Sequence, residues 1–173
     1  MNKIISIKLE KDKKLKKKYY NDISNNDQNY NNNILIDNKF NKNNQIIFIN
    51  NLYLNSEFRE KKELTTLLNS KINGYKQQDI KKKNNNNNLI SINEVIEKLV
   101  ISKLQCYYCK NNLYIFYLNV REKLQWTLDR IDNNKNHTND NTLISCLDCN
   151  LKRRTKNKDH FLFTKQLNII KSN

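Results

Sequence analysis

Four cysteines in two pairs are the residues whose types and spacing most clearly indicate chemistry. Each pair is a C-x-x-C motif, Cys106 with Cys109 and Cys146 with Cys149, and 36 residues separate the pairs. Two residues between thiolates let both sulfur atoms of one turn point at a common centre, and four thiolates complete the tetrahedron that zinc prefers. A closed shell of four sulfurs leaves no position for water. The sequence therefore predicts a structural Zn²⁺ site.

The cysteines could instead form two disulfides or remain four unrelated thiols. Disulfides belong to oxidising compartments. Residues 1–10 contain a short apolar patch that is followed by the basic run Lys11 to Lys18, which reverses the order found in a secretory signal. We therefore expect an intracellular protein, in the cytoplasm or nucleus of a host cell, in which reduced thiols are available to zinc.

The charge of the chain indicates a polyanionic partner. The 173 residues carry a formal net charge of +15, which attracts nucleic acid. Only 37% of the residues are hydrophobic, and no apolar run approaches the roughly 20 residues of a membrane-spanning helix. The composition therefore excludes an integral membrane protein of helical type and favours one domain with an unstructured extension.

Between and around the cysteine pairs, residues 126–154 read WTLDRIDNNKNHTNDNTLISCLDCNLKRR. This segment resembles the HNH endonuclease family, in the zinc-stapled form with a D-R-I-D motif that occurs in phages and large DNA viruses. The similarity covers residues 106–160, about a third of the chain. It implies a ββα-metal fold, a viral origin and hydrolysis of phosphodiester bonds in double-stranded DNA with one divalent cation, Mg²⁺ or Mn²⁺.

The resemblance also implies roles for three residues of the segment. Asp129 stands where the family has an acidic metal ligand at the end of the first strand, and Asn150 matches the closing His or Asn on the helix. Both would offer oxygen atoms to the catalytic cation, which is a hard ion that prefers oxygen ligands. Asn141 matches the middle asparagine, which would pin the loop that carries the attacking group.

The segment departs from the family pattern at Arg130, where the family has its first histidine. A guanidinium cannot accept a proton at pH 7, so Arg130 is expected to hold the scissile phosphate instead of activating water. His137 and Asp132 are the two candidates for the general base. The alternatives are a solvated loop histidine and an Asx turn. The departure keeps a second function open, a non-catalytic zinc-stabilised module that binds nucleic acid.

A run of cations follows the second cysteine pair. Arginine forms bidentate contacts with phosphate more readily than lysine does, and two of the chain's five arginines lie in this run. The alternative is a solvated charged face. We expect contacts with nucleic acid from Lys152, Arg153, Arg154 and Lys156. The aromatic residues nearby, Trp126 above all, are expected to pack in the core.

Hydrophobic periodicity predicts the elements that position these residues. A helix over 92–104 begins with a capping box, in which Ser91 precedes Glu94 by three residues, and leads directly to Cys106. The further predictions are a hairpin of strands 113–118 and 125–131, a loop over 132–140, a strand over 142–145 and helices over 147–156 and 161–170.

The chain is expected to have three parts and an α+β fold. Residues 1–44 are rich in Asn and Lys and predicted to be mostly disordered. Residues 45–88 form an appendage with a strand over 46–54, a helix over 56–73 that Gly74 ends, and an Asn-rich linker. Residues 89–173 form the small ββα-metal domain with its zinc site of four cysteines.

Overall fold

The computed structural model describes residues 38–82 and 88–167, and from Lys39 onward they belong to one compact unit. The predictions for residues 1–37, for most of the Asn-rich linker and for the end of the tail helix lie outside the described residues. The elements in chain order are α1 (Lys42–Tyr53), α2 (Lys61–Lys81), α3 (Ile92–Ile101), β1 (Trp126–Arg130), β2 (Thr142–Cys146), α4 (Leu147–Arg153) and α5 (Lys158–Gln166).

The C-terminal half contains a small ββα arrangement. Strands β1 and β2 are antiparallel, with Trp126 opposite Cys146 and Arg130 opposite Thr142. Helix α4 begins directly after β2, and the Cys146 side chain caps it by accepting from the backbone N–H of Cys149. The predicted strands over 125–131 and 142–145 and the helix after them are confirmed. The described part of the chain is therefore a mixed α/β structure with a two-stranded sheet.

The predicted hairpin partner of β1 is wrong. Residues 113–118 form no strand of their own, and only Tyr114 makes an isolated bridge, to Gln125. Leu113, Ile115 and Phe116 are all buried, so the segment does not alternate between a core face and a solvent face. An apolar run of this kind packs as a core loop as readily as it forms a strand.

Helix α1 replaces the strand predicted over 46–54 and includes residues expected to be disordered. Asn41 caps it by accepting from the backbone N–H of Asn43. Gln45 is fully buried, and its side chain accepts from the N–H groups of Ile115 (2.7 Å) and Phe116 (3.1 Å) and donates to the Phe116 carbonyl. These bonds attach α1 to the loop after the first cysteine pair, and this tertiary contact overrides the strand propensity of the segment.

Helix α2 continues through Gly74, where the sequence predicted its end. Its buried residues follow a helical spacing over the whole length and are Leu64, Leu68, Ile72, Tyr75 and Asp79. Tyr75 accepts a hydrogen bond from the backbone N–H of Leu128 (2.9 Å), so α2 covers the free edge of β1. Residues of α1 and α2 share one buried cluster with the rest of the described unit.

Helix α3 agrees with the sequence at its start. The capping box of Ser91 and Glu94 is present, and the helix buries Val95, Ile96 and Leu99 before it ends at Ile101, three residues earlier than predicted. The tail helix α5 begins earlier than predicted because Asn157 caps it. Within residues 38–82 and 88–167, no helix combines the length and apolar character needed to cross a bilayer.

Replacement of Gly74 by Ala is expected to stabilise the protein. Gly74 lies inside α2, and a Cβ atom built there meets nothing within 4 Å. Alanine loses less backbone entropy than glycine in a helix, so the free energy of unfolding should rise by about 1 kcal/mol. Urea denaturation of both proteins measures this change. A decrease would contradict a helix that continues through residue 74.

Candidate functional site

The four cysteines come together, as the sequence predicted. Their sulfur atoms all lie within 4.8 Å of one another, and the Cys109 and Cys146 sulfurs are 3.9 Å apart. A tetrahedron with Zn–S bonds near 2.3 Å has sulfur–sulfur edges of about 3.8 Å. The cluster can therefore bind a metal ion such as Zn²⁺, and because all four ligands are sulfur the ion would hold the chain together without binding substrate.

The backbone around the cluster is arranged for thiolates. The backbone N–H of Cys146 donates to the Cys106 sulfur, and that of Cys149 donates to the Cys146 sulfur, both at 3.3 Å. A hydrogen bond from the Cys146 thiol lowers the pKa of Cys106 to about 5, whereas burial raises the pKa of Cys149 to about 12. The hydrogen bonds to its sulfur therefore favour the thiolate form of Cys106.

Asp129 is held in a buried ion pair. It is 3% exposed, and Arg153, which is 1% exposed, donates to its carboxylate from Nε (2.7 Å) and Nη2 (2.9 Å). The Tyr108 hydroxyl donates to the same carboxylate at 2.5 Å, and burial together with this bond raises the pKa of Tyr108. Arg153 also donates to the Arg130 carbonyl and to the Lys156 carbonyl (2.8 Å). This arrangement fixes α4 to β1.

This ion pair corrects one prediction and gives a competing contact to the residue of a second. Arg153 was expected on the surface as a contact for nucleic acid, and that is wrong because its guanidinium is buried against Asp129. Asp129 was expected to bind a catalytic cation, but both of its oxygen atoms accept hydrogen bonds from Arg153. Asn150 donates through Nδ2 to Thr127 (3.1 Å) and to the Leu128 carbonyl (3.3 Å), which leaves its own oxygen atom available.

Asn141 closes the loop between the two strands. Its side-chain oxygen accepts from the backbone N–H of Asp132, and its Nδ2 donates to the carbonyls of Asp132 and Asn136, each at 2.9 Å. This geometry suits the positioning role predicted for it. Asp132 accepts from the backbone N–H of Asn134 (2.9 Å), which is the Asx turn weighed as the alternative to a base.

A cavity of about 410 Å³ lies between α2 and the ββα unit. Arg130, His137 and Asn150 line it together with Tyr75 and Lys71. Asp132 and Asn141 do not line this cavity. The structure therefore brings together four of the predicted site residues, Asp129, Arg130, His137 and Asn150, and places two others on the loop beside them.

His137 is not a solvated loop histidine. It is 2% exposed, its Nδ1 lies 2.7 Å from an Asp79 carboxylate oxygen, and its ring packs against the Tyr75 ring with centroids 4.7 Å apart. Burial lowers the pKa of His137 below its usual value of 6.5, although the hydrogen bond to Asp79 opposes this shift. The net shift favours the neutral imidazole, the form that can accept a proton.

The other predicted cations lie at the surface. Lys152, Arg154 and Lys156 are exposed, and Lys152 pairs with Asp148 at 2.8 Å one helical turn away. Arg154 has a φ of 52°, and its carbonyl accepts from the Asn133 side chain (2.8 Å). These three side chains remain candidates for contacts with phosphates.

Sequence reasoning missed the contribution of α2 to the cavity. Asp79 pairs with His137 and Arg130, Tyr75 covers β1, and Lys71 donates to the Gln125 side chain (2.9 Å) and to the Trp126 carbonyl. Burial lowers the pKa of Lys71 to about 7. The available signal was Asp79 itself, a charged residue at the same helical spacing as the apolar residues before it.

Comparison with known proteins adds no relative. A scan against protein-family models, a search of curated proteins and a search of solved structures each found no match to this chain.

We expect one zinc ion per chain in protein purified under reducing conditions, measured by metal analysis. Cys146→Ser should unfold the ββα unit, because the binding energy of a structural zinc is folding energy. Circular dichroism should show the same loss when a chelator removes zinc from the wild type. Added zinc should restore the wild type and leave Cys146→Ser unfolded. A wild type that contains no metal and keeps its fold would contradict a structural zinc site.

Arg153→Met is expected to destabilise the protein by about 3 to 5 kcal/mol, because it leaves the Asp129 carboxylate buried without its partner. Urea denaturation measures the change. Lys152→Met is the matched control, since it removes the neighbouring cation of α4, which is exposed, and should cost less than about 1 kcal/mol. Equal small effects, with weaker DNA binding by Arg153→Met, would restore Arg153 as a surface contact.

Proposed function

We propose that this protein is an HNH-type endonuclease that hydrolyses phosphodiester bonds in DNA. The observation that carries the proposal is the cavity in which Arg130, His137 and Asn150 meet beside a ββα unit with four clustered cysteines. A nuclease of this kind needs a cation for the scissile phosphate, a base for water and an amide or carboxylate oxygen nearby. The cavity holds a side chain suited to each of these roles.

In this proposal Arg130 binds the phosphate and His137 is the general base. Arg130 is 9% exposed and lies 3.5 Å from Asp79 through Nη1, so its guanidinium is held at the cavity wall with further N–H groups available for phosphate oxygens. His137 accepts the proton of the attacking water. The exposed cations Arg154 and Lys156 contact the DNA backbone, which positions the duplex without reading its sequence.

The divalent cation that the HNH resemblance implies fits this arrangement only in part. Asn150 can offer one oxygen atom, but the Asp129 carboxylate is engaged by Arg153. Mg²⁺ usually binds through one or two carboxylates together with phosphate oxygens. The proposed hydrolysis therefore rests on the side chains of the cavity, and experiment decides whether cleavage depends on Mg²⁺ or Mn²⁺.

The second candidate is a non-catalytic module that binds nucleic acid. The ion pair between Asp129 and Arg153 favours it, because a carboxylate used only for structure removes one expected catalytic group. In this case the cysteine cluster would fold a basic surface, and affinity for DNA would fall steeply with salt.

Nicking of supercoiled plasmid separates the two functions. Wild-type protein is expected to nick DNA. Parallel reactions contain Mg²⁺, Mn²⁺ or a chelator of divalent ions and show whether cleavage depends on a cation. His137→Ala should lower the rate about 100-fold or more, because general-base catalysis contributes that much. His160→Ala is the matched control, since His160 is the only other histidine and is exposed on α5, and its rate should equal that of the wild type.

An intact plasmid that is nevertheless shifted on a gel by all three proteins would overturn the nuclease proposal and support the binding module. Equal nicking by His137→Ala and wild type would keep the nuclease and remove His137 from its mechanism. Asp129→Ala is a poor probe of catalysis, because it also leaves the buried Arg153 without its partner.

A further inference from the structure

Asp79 binds one residue of the cavity at two points. One carboxylate oxygen lies 2.7 Å from His137 Nδ1, and the other accepts from the His137 backbone N–H at 2.9 Å. The His137 carbonyl in turn accepts from the Ile90 backbone N–H at 2.8 Å. The imidazole is therefore fixed relative to its own backbone, and Tyr75 packs against the ring.

These contacts determine which ring nitrogen carries the proton. An ionised carboxylate only accepts hydrogen bonds, so Nδ1 of the neutral imidazole must be the donor. The lone pair then lies on Nε2, and His137 lines the cavity. Nε2 is thus the ring nitrogen with the capacity to take a proton.

The charged groups around His137 come from two elements of the chain. Asp79 belongs to α2, Lys82 follows this helix directly, and Arg130 is the last residue of β1. Asp79 favours the protonated ring, whereas Arg130, Lys82 and burial disfavour it. Asp79 is the one negative charge among these neighbours, and it also holds the Arg130 guanidinium.

We propose that Asp79 is a positioning residue that orients His137 as the general base and holds Arg130 for the phosphate, so that α2 completes the active site of the nuclease. This inference rests on the proposed function. It assigns a role to a residue outside the segment that resembles HNH proteins. The ligand is one phosphodiester group of a DNA strand, seated between Arg130 and His137.

The step uses only water and the phosphodiester. Nε2 of His137 takes one proton from water, and the oxygen atom of that water forms a bond to phosphorus. The bond from phosphorus to the leaving oxygen breaks, and that oxygen takes a proton from solvent in the open cavity. The carboxylate of Asp79 stabilises the imidazolium, which then returns its proton to solvent.

Plasmid nicking by Asp79→Asn as a function of pH tests the proposal. The plateau rate should fall about 100-fold or more, because the ring loses its orientation and its charge partner. Wild-type activity should fall on the acid side as His137 becomes protonated, and burial, which lowers the pKa of the ring, places this limb below the usual range of a histidine. Without the carboxylate, which raises the pKa of the ring, this acid limb should move to lower pH. Asp79→Glu keeps the charge and should keep the acid limb in place.

The matched control is Glu63→Gln. Glu63 is another carboxylate of α2, it pairs with Lys39, and it lies at the opposite end of the helix from Asp79. It should keep the wild-type rate and pH profile. Zinc content and circular dichroism establish that every variant is folded. Nitrogen-15 NMR of the histidine ring reports its proton position without requiring activity, and the wild type should carry the proton on Nδ1.

The outcomes separate the two proposals. Wild-type nicking with an unchanged rate and acid limb in Asp79→Asn would overturn the role of Asp79 and leave the nuclease standing. A proton on Nε2 in the wild-type ring would also overturn it. Absence of nicking by the wild type removes the nuclease, and with it the proposed positioning role of Asp79, even where NMR finds the proton on Nδ1.

Discussion

Convergence of four sulfur atoms is the constraint on which the rest of the structure depends. It joins the turn after α3 to the junction of β2 and α4, so the 36 residues between the cysteine pairs become one closed unit. The turns that present the first pair contain Lys103, Leu104 and Lys110 with φ between 51° and 59°. Such backbone costs roughly 1 to 2 kcal/mol for each residue other than glycine. A metal bound by the four cysteines would offset this strain, because a structural zinc contributes its binding energy to folding.

Within that closed unit, alternation along β1 separates two ion pairs. Consecutive side chains of a strand point to opposite faces, so Asp129 faces Arg153 and Tyr108 while Arg130 faces Asp79. Each face thus ends in a pair of a carboxylate and a guanidinium. The ion pair between Asp129 and Arg153 fixes α4, the helix that follows β2. The pair of Arg130 lies at the cavity, and Asp129 also lines the cavity although its carboxylate is paired with Arg153.

Local signals in the sequence predicted those parts of the fold that local chemistry determines. The spacing of the cysteines, the capping box at Ser91 and the two strands of the ββα unit needed no distant partner. Helix α1 could not be predicted in this way, because its β-branched and aromatic residues favour a strand until buried Gln45 binds the loop at Ile115. Arg153 was misjudged for a similar reason. Nothing in a run of cations indicates which one finds a buried carboxylate 24 positions earlier.

The position of α2 changes what the proposed nuclease site requires. The segment that resembles HNH proteins supplies Arg130, His137 and Asn150, but it supplies no carboxylate that could orient the histidine. Asp132 is engaged in its own turn, and Asp129 faces the other side of β1. The carboxylate comes from Asp79, and the same helix covers the edge of β1 through Tyr75 and Lys71. An arginine in place of the usual base is therefore compatible with the proposed hydrolysis, because the base can come from the loop of the segment and its partner from a helix outside the segment.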